Sequence, residues 1–210
     1  MGDPMVIEAM KPAYEVPVSR LLTQGFAGKL MPGPRMDESQ AASIMHKLLR
    51  LDSEAGNIER VVVTINGSIA GSMAVQWQLS PAAEQETQRL LKVWQELHGI
   101  GLGTRLEIAV RLLLLSHMPA KHEGYIADIS VDSRYRGRGV GGYMLEWARC
   151  EAAKKPDIRY LSLHVSGSND GARRLYERFG FRTSEAKRSV LMSVLFGEQE
   201  WRYMIYMKGK

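Results

Sequence analysis

Residues 131–142, VDSRYRGRGVGG, set Gly137, Gly139, Gly141 and Gly142 among three arginines, Arg134, Arg136 and Arg138, between a strand-like run and a helix-like run. The strand side runs from Tyr125 to Val131. The helix side starts near Gly141 and carries Met144, Leu145, Ala148 and Ala152 on one face. The first turn of a helix has N–H groups without an intrahelical partner and lies at the positive end of the macrodipole. Glycines let those N–H groups approach phosphate oxygens with no Cβ in the way, and the arginines add positive charge. The segment therefore reads as a cradle for a diphosphate-bearing ligand.

Two familiar phosphate motifs do not fit the surroundings. Gly137, Gly139 and Gly142 satisfy GxGxxG, but a dinucleotide-binding unit runs its strand almost directly into the first glycine and places a carboxylate about 20 residues further on for the ribose. Here five residues separate Val131 from Gly137, and the next strand, Tyr160 to Val165, ends in Ser166, Gly167 and Ser168. No Lys-Ser or Lys-Thr pair comes after the glycines, which removes a P-loop, and no GxSxG elbow marks a serine hydrolase. His46, His98, His117, His122 and His164 lack HExxH or cysteine-partner spacing, so no metal site is expected. His164, alternating with Leu163 and Val165, reads as a hydrogen-bonded sheet histidine close to the ligand cleft.

Downstream of the glycines lies LSLHVSGSNDGARRLYERFGF, residues 161–181. With it the chain resembles the GNAT superfamily of acyl-CoA-dependent N-acetyltransferases. That family's CoA loop has Gln or Arg, two residues, Gly, one residue, then Gly or Ala, which Arg136, Gly139 and Gly141 match position for position. Its second signature is a strand, an Asn, a short helix with Leu-Tyr, then Gly-Phe, matched by Asn169, Ala172, Leu175, Tyr176, Gly180 and Phe181. The two motifs span roughly residues 124 to 182.

The resemblance implies an α/β fold with a mixed, mainly antiparallel sheet flanked by helices, and acetyl-CoA as acetyl donor to an amine. It implies that Arg136, Gly137, Arg138, Gly139, Val140, Gly141 and Gly142 hold the cofactor's diphosphate, and that the strand at Ile129 to Val131 runs beside its pantetheine arm. A strand N–H there would stabilise the oxyanion. Tyr176 stands at the position of the proton donor to the leaving thiolate. Asp128, opposite in phase to Ile129 and Val131, is the leading candidate for the base, or else a carboxylate that positions the amine; Glu123, acting through water, is second. Asn169 would bind cofactor or water, or cap a helix.

Composition is compatible with this reading. The chain of 210 residues, 45% hydrophobic, is long enough for one well-buried domain over 1–210. A net charge of +5 suits an anionic ligand, and the charge is spread out, with no basic block or nucleic-acid motif. The single cysteine, Cys150, points to a reducing compartment and is expected to pack within its helix. No leader-like or membrane-spanning run is evident, so a cytoplasmic protein without membrane or nucleic-acid partners is expected.

On the N-terminal side, a strand is expected around Val6 to Met10, and helices near Val16 to Gly25 and Asp37 to Leu51, separated by the loop Pro32, Gly33, Pro34, which the family resemblance implies lies beside the acceptor site. Two β-branched runs around Asn66-Gly67 predict a hairpin. Residues 80–122 exceed the minimal family plan. Leu90, Leu91, Trp94 and Leu97, then Leu106, Ala109, Val110, Leu113 and Leu114, recur at helical spacing around Gly99, Gly101 and Gly103, predicting a helical hairpin inserted between the third and fourth strands. That insertion would cover the sheet, form a homodimer face or act as a lid. At the C-terminus, Ser189 to Phe196 and Trp201 to Met207 read as two strands around Gly197.

The expected activity is therefore acetyl transfer from acetyl-CoA to a primary amine, on a small molecule, a peptide or a protein lysine. An acyl-CoA-binding sensor without catalysis is the alternative, and a dinucleotide-dependent oxidoreductase is a third reading with different ligand demands.

Overall fold

A computed structural model describes residues 3–30, 37–54, 56–77 and 91–209, of residues 27–30 the backbone alone. Seven strands form one sheet in the order β1-β2-β3-β4-β5-β7-β6. They are β1 (Met5–Ala9), β2 (Ile58–Ile65), β3 (Ser68–Trp77), β4 (Glu123–Val131), β5 (Tyr160–Ser166), β6 (Arg182–Arg188) and β7 (Glu200–Met207). Every neighbouring pair is antiparallel except β4 and β5. The fold is thus the mixed, mainly antiparallel sheet flanked by helices that the sequence implies.

Strand alternation builds two cores. Val61, Val63 and Ile65 of β2, with Met73 and Val75 of β3, face the helix α5 (Val140–Lys154) and the helix α6 (Asp170–Arg178). Met144, Leu145, Ala148 and Ala152 form the buried stripe of α5, as expected. On the opposite face Val62 meets α1 (Glu15–Leu30) and α2 (Glu38–Glu54) through Val18, Leu22, Ile44 and Leu48. The Asn66-Gly67 turn takes left-handed backbone at both residues, φ 49° and 75°, and closes the β2–β3 hairpin where the sequence placed it.

Two irregularities in β4 shape the cleft. Its register against β3 shifts between Ala74↔Asp128 and Val75↔Ile126, so Ala127 is an extra residue, a bulge that resets the alternation. In consequence Tyr125 and Asp128, three residues apart, share the face under α1 and α2. Pairing of β4 with β5 runs only from Glu123↔Tyr160 to Ile126↔Leu163; beyond it Asp128–Val131 pair with β3 alone and His164–Ser166 with β7 alone. The sheet opens there.

Several expectations change. Ser189 to Phe196 is not a strand: Val190–Phe196 is a helix, α7, capped by the Ser189 side chain accepting from Met192 N–H and closed by Gly197 at φ 69°. A short apolar run carries no period of its own, and the serine and glycine at its ends decide it. The missing strand is β6, RTSEAKR, exposed throughout; as an edge strand it has a single neighbour and needs no apolar alternation. Cys150 lies on the exposed side of α5 and does not pack. In the insertion, residues 91–96 are helical (α3) and Leu102–Leu115 form α4. The faces differ from expectation, since Val93, Leu97 and Ile108 are buried while Leu91, Leu106, Val110 and Leu113 are exposed. The hairpin's first arm and the Pro32-Gly33-Pro34 loop fall in part or wholly outside the described residues. No helix among the described residues is long and apolar enough to cross a membrane.

Candidate active site

The glycine-rich segment has two jobs, divided between two pairs of glycines. Gly137 and Gly139 have φ of 76° and 88°, and a Cβ on either would meet nothing within 4 Å, so backbone conformation is what requires glycine there. Gly139 is the N-cap of α5, where no side chain caps the N–H groups of the first turn. Gly141 and Gly142 instead serve packing: a Cβ would come within 2.9 Å of Leu175 Cδ2 and 3.0 Å of Phe179 Cζ, both from the side of α6. The arginines also diverge. Arg134 is paired with Asp132 at 2.8 Å, Arg136 donates Nε–H to the Val131 carbonyl at 3.3 Å, and Arg138 lies over the Tyr135 ring at 5.6 Å. Arg136 and Arg138 therefore remain beside an uncapped helix N-terminus, a donor set that fits a diphosphate.

The α5 N-terminus adjoins the gap between β4 and β5. Asn169 caps α6, its Oδ1 accepting from Ala172 N–H at 3.1 Å, and it also lines the cavity that opens at this gap. Tyr176 on α6 is 5% exposed, and burial pushes its phenol above the ordinary range. Its hydroxyl makes no hydrogen bond among the described residues, while its ring packs near Phe181 with centroids 6.0 Å apart.

On the other face, Asp128 is held by Arg60 in a two-pronged pair, Nη1 to Oδ1 at 2.8 Å and Nη2 to Oδ2 at 2.6 Å. Arg60 is opposite Ala74 on β3, and Ala74 is opposite Asp128 on β4, so the guanidinium crosses a strand over a single methyl group. Its Nη1 also donates to Ser72 Oγ at 3.3 Å, and that hydroxyl donates to the Val61 carbonyl at 3.0 Å. Burial opposes the charge on Arg60, yet Asp128 outweighs it and keeps the guanidinium protonated.

Glu123 is fully buried and occupied on both oxygens. It accepts from Ala120 N–H at 2.6 Å and Tyr203 OH at 2.7 Å, lies 2.9 Å from His117 Nε2 and 3.5 Å from Tyr160 OH, and accepts from Ser162 Oγ. Burial alone would raise its pKa; the hydrogen bonds, His117 and Ser162 foremost, overcome this and hold it at about 2. A carboxylate so engaged anchors β4 to β5 and β7. Next to it His164 Nδ1 lies 3.1 Å from Tyr125 OH, and burial, then His117, lowers the imidazole to about 4, leaving it neutral at pH 7.

Asn169, Tyr176, Asp128, Arg60, Tyr125 and His164 line one cavity of about 740 Å³. It runs from Leu163, Val165, Asn169 and Tyr176 at the gap, past Ile129, to Asp128, Arg60, Tyr125 and His164 beneath α1, α2 and α4. A profile of the acetyltransferase (GNAT) family matches residues 34–181. The chain belongs to that family. Over 65 residues it is 40% identical to the uncharacterized N-acetyltransferase YycN of Bacillus subtilis; the match covers 31% of this chain and 41% of that one, less than half its length. The GNAT fold extends across the chain. A crystal structure of an acetyltransferase superposes with a TM-score of 0.67 at 22% identity, covering 97% of this chain and 100% of the other. The ribosomal-protein-S18-alanine N-acetyltransferase of Escherichia coli superposes at 0.57 and 16% identity, covering 99% and 96%.

Arg60 escaped the sequence reading because it sits in an apolar strand, Ile58–Ile65, 68 residues before its partner. The one signal was a pair of charges, Glu59 and Arg60, inside the strand and next to the apolar run Val61–Val63. Tyr125, His117 and Tyr203 likewise come together only through the sheet order, which brings β4, β5 and β7 side by side.

Proposed function

We propose that this GNAT-family protein transfers an acetyl group from acetyl-CoA to a primary amine. The observation that supports this most is the continuity of the cavity from the β4–β5 gap, where Tyr176 stands, through the sheet to Asp128. Acetyl-CoA would supply the acetyl group as a thioester and leave as the free thiol. The first-turn N–H groups of α5, with Arg136 and Arg138, would hold its diphosphate, aided by Gly137 and Gly139, whose backbone turns toward the helix start. Ile129 and Val131 lie where β4 has no β5 partner, so its N–H groups on that edge are available to the pantetheine arm and to the carbonyl oxygen as it gains charge.

Tyr176 would donate its proton to the departing sulfur, and the buried phenol is protonated at neutral pH. Asp128, fixed by Arg60, would hold the acceptor nitrogen from the opposite side and take up its proton. The test is release of CoA thiol that depends on both acetyl-CoA and amine. Tyr176→Phe should lower kcat by about 10² to 10⁴ while the acetyl-CoA Kd stays nearly unchanged. Acetyl-CoA binding with no release for any amine would favour a sensor, and stabilisation by NAD but not by acetyl-CoA would sink the reading.

A further inference from the structure

We infer that His117, oriented by Glu123, is a second proton acceptor of the acetyl-transfer site and takes the proton that converts the acceptor ammonium into the attacking amine. This rests on the acetyl-transfer reading and adds a catalytic residue to it. An ammonium sheds two protons in becoming an amide nitrogen. One ends on the CoA sulfur, by way of Tyr176, and the other in water. Asp128 takes up one proton in that scheme, and both of its oxygens are already engaged by Arg60, so the other proton needs a different acceptor.

His117 has the geometry for it. The ring belongs to the connection between α4 and β4 and lines the same cavity as Asp128 and Tyr176, with 22% of its side chain accessible. Its Nε2 lies 2.9 Å from Oε1 of Glu123, which is fully buried. Glu123 is ionised and can only accept, so Nε2 is the nitrogen that carries the hydrogen, and the neutral imidazole keeps its lone pair on Nδ1. Nδ1 has no hydrogen-bond partner among the described residues. Glu123 is itself fixed by Ala120 N–H, Ser162 and Tyr203, so the ring cannot exchange its nitrogens without losing the bond. A buried carboxylate on one nitrogen sets the tautomer and stabilises the imidazolium that forms when the other takes up a proton.

The other groups facing the ring are unsuited to the task. Tyr125 of β4 and Tyr203 of β7 stand with ring centroids 4.2 and 5.6 Å from it, and burial pushes both phenols above the ordinary range, so they are donors. His164 of β5, 5.2 Å away, meets Tyr125 OH with its Nδ1 at 3.1 Å, and burial, then His117, lowers it to about 4. Lys187 and Glu185 of β6 are paired with each other at 3.0 Å and act on His164. The transfer then balances. One proton moves from the ammonium to His117 Nδ1, directly or through one water, and the freed lone pair forms the C–N bond. As the C–S bond breaks, the second proton passes from nitrogen to Asp128 while Tyr176 protonates the sulfur. Tyr176 regains one of the two released protons, and the remaining one goes to water.

The experiment varies the basicity of the acceptor at nearly constant shape. With the full chain at about pH 8 and saturating acetyl-CoA, kcat/KM is measured for phenethylamine, an ammonium in that buffer, and for its analogue with two fluorines on the benzylic carbon, whose weakly basic nitrogen is largely neutral there. His117→Gln keeps a donor toward Glu123 and removes the basic nitrogen. It should lower kcat/KM for phenethylamine by about 10² or more and for the fluorinated amine by no more than about fivefold, while the acetyl-CoA Kd measured by calorimetry holds. The deficit should shrink as the pH is raised and phenethylamine loses its proton to water. Glu123→Gln should show the same amine-selective loss to a smaller degree, since the imidazole remains but its tautomer is no longer imposed; a purely structural role would lower both amines alike. If His117→Gln does not fold, His117→Asn, also without a basic nitrogen, replaces it. Equal losses for both amines, no loss, or a deficit that pH does not relieve would each overturn the inference. Failure of the acetyl-transfer reading is distinguishable, because the unaltered chain would then release no CoA with either amine, and the inference would fall with it.

Discussion

Arg60 carries a charge into the middle of a sheet, and its cost is met by one carboxylate. Removing either partner leaves the other buried without compensation, which for a buried pair costs about 3 to 5 kcal/mol. Asp128 is partly exposed, with 18% of its side chain accessible, so water screens some of that loss. Arg60→Met should therefore fall at the low end, about 3 kcal/mol in denaturant unfolding. The double variant Arg60→Met, Asp128→Leu should recover most of the stability and none of the activity, which separates the pair's structural cost from its proposed role toward the amine. Glu123 and His164 set the acid limit in adjoining windows. Glu123 has a folded pKa of about 2, below its ordinary 4.5, so its contribution is complete above 4.5 and is lost as pH falls toward 2. His164 has a folded pKa of about 4, below 6.5, so the unfolded chain binds the proton first and stability falls as pH drops from 6.5 to 4. Stability measured against pH should lose the upper segment in His164→Asn and the lower one in Glu123→Gln; an unchanged profile in either variant would remove that residue from the acid response.

At the level of elements, the α5 N-terminus and the α5–α6 contact share four glycines that substitution can tell apart. Gly139→Asp places an anion at the uncapped helix start, where the proposed diphosphate lies, and should weaken CoA binding more than tenfold, about 1.4 kcal/mol, in calorimetry. Gly141→Ala leaves the left-handed Gly137 and Gly139 unaltered but drives a methyl group to 2.9 Å from Leu175 Cδ2, next in sequence to Tyr176. Overpacking of that kind costs about 1 to 3 kcal/mol. The expected result is lower stability and lower kcat with CoA affinity nearly preserved, because the strain falls on the helix that carries Tyr176, the proposed proton donor. Equal loss of affinity in both variants would contradict this division of labour. The C-terminal elements show the limits of local pattern. Val190–Phe196 is an apolar run that reads as strand until Ser189 and Gly197 are recognised as its cap and stop. The polar run Arg182–Arg188 makes an edge strand because β7 offers it backbone partners, which no local pattern records.

For the molecule as a whole, the proposed cofactor would occupy the sheet's open seam, so acetyl-CoA should stabilise the fold by mass action. At 100 times its Kd a ligand adds about 2.7 kcal/mol, and at about 2 to 4 °C per kcal/mol for a chain of this size the melting temperature should rise by about 5 to 11 °C. No shift with acetyl-CoA would remove the proposed cofactor. What the amino-acid sequence determined alone is whatever is written in contiguous residues. The left-handed Gly137 and Gly139, the Asn66-Gly67 turn, the buried stripe of α5 and the Asn169-to-Phe181 signature are local, because turn conformations and helical faces depend on neighbours a few positions away. Periodicity also placed α4 of the insertion, though not which of its faces is buried, since α1 and α2 decide that from elsewhere in the chain. Only the tertiary structure set Arg60 against Asp128, turned Asp128 to its face through the bulge at Ala127, consumed Glu123 in five contacts and opened β4 from β5. Each of these depends on strand order and register, which are settled by the competition of whole faces for burial, and no short stretch of sequence carries that information.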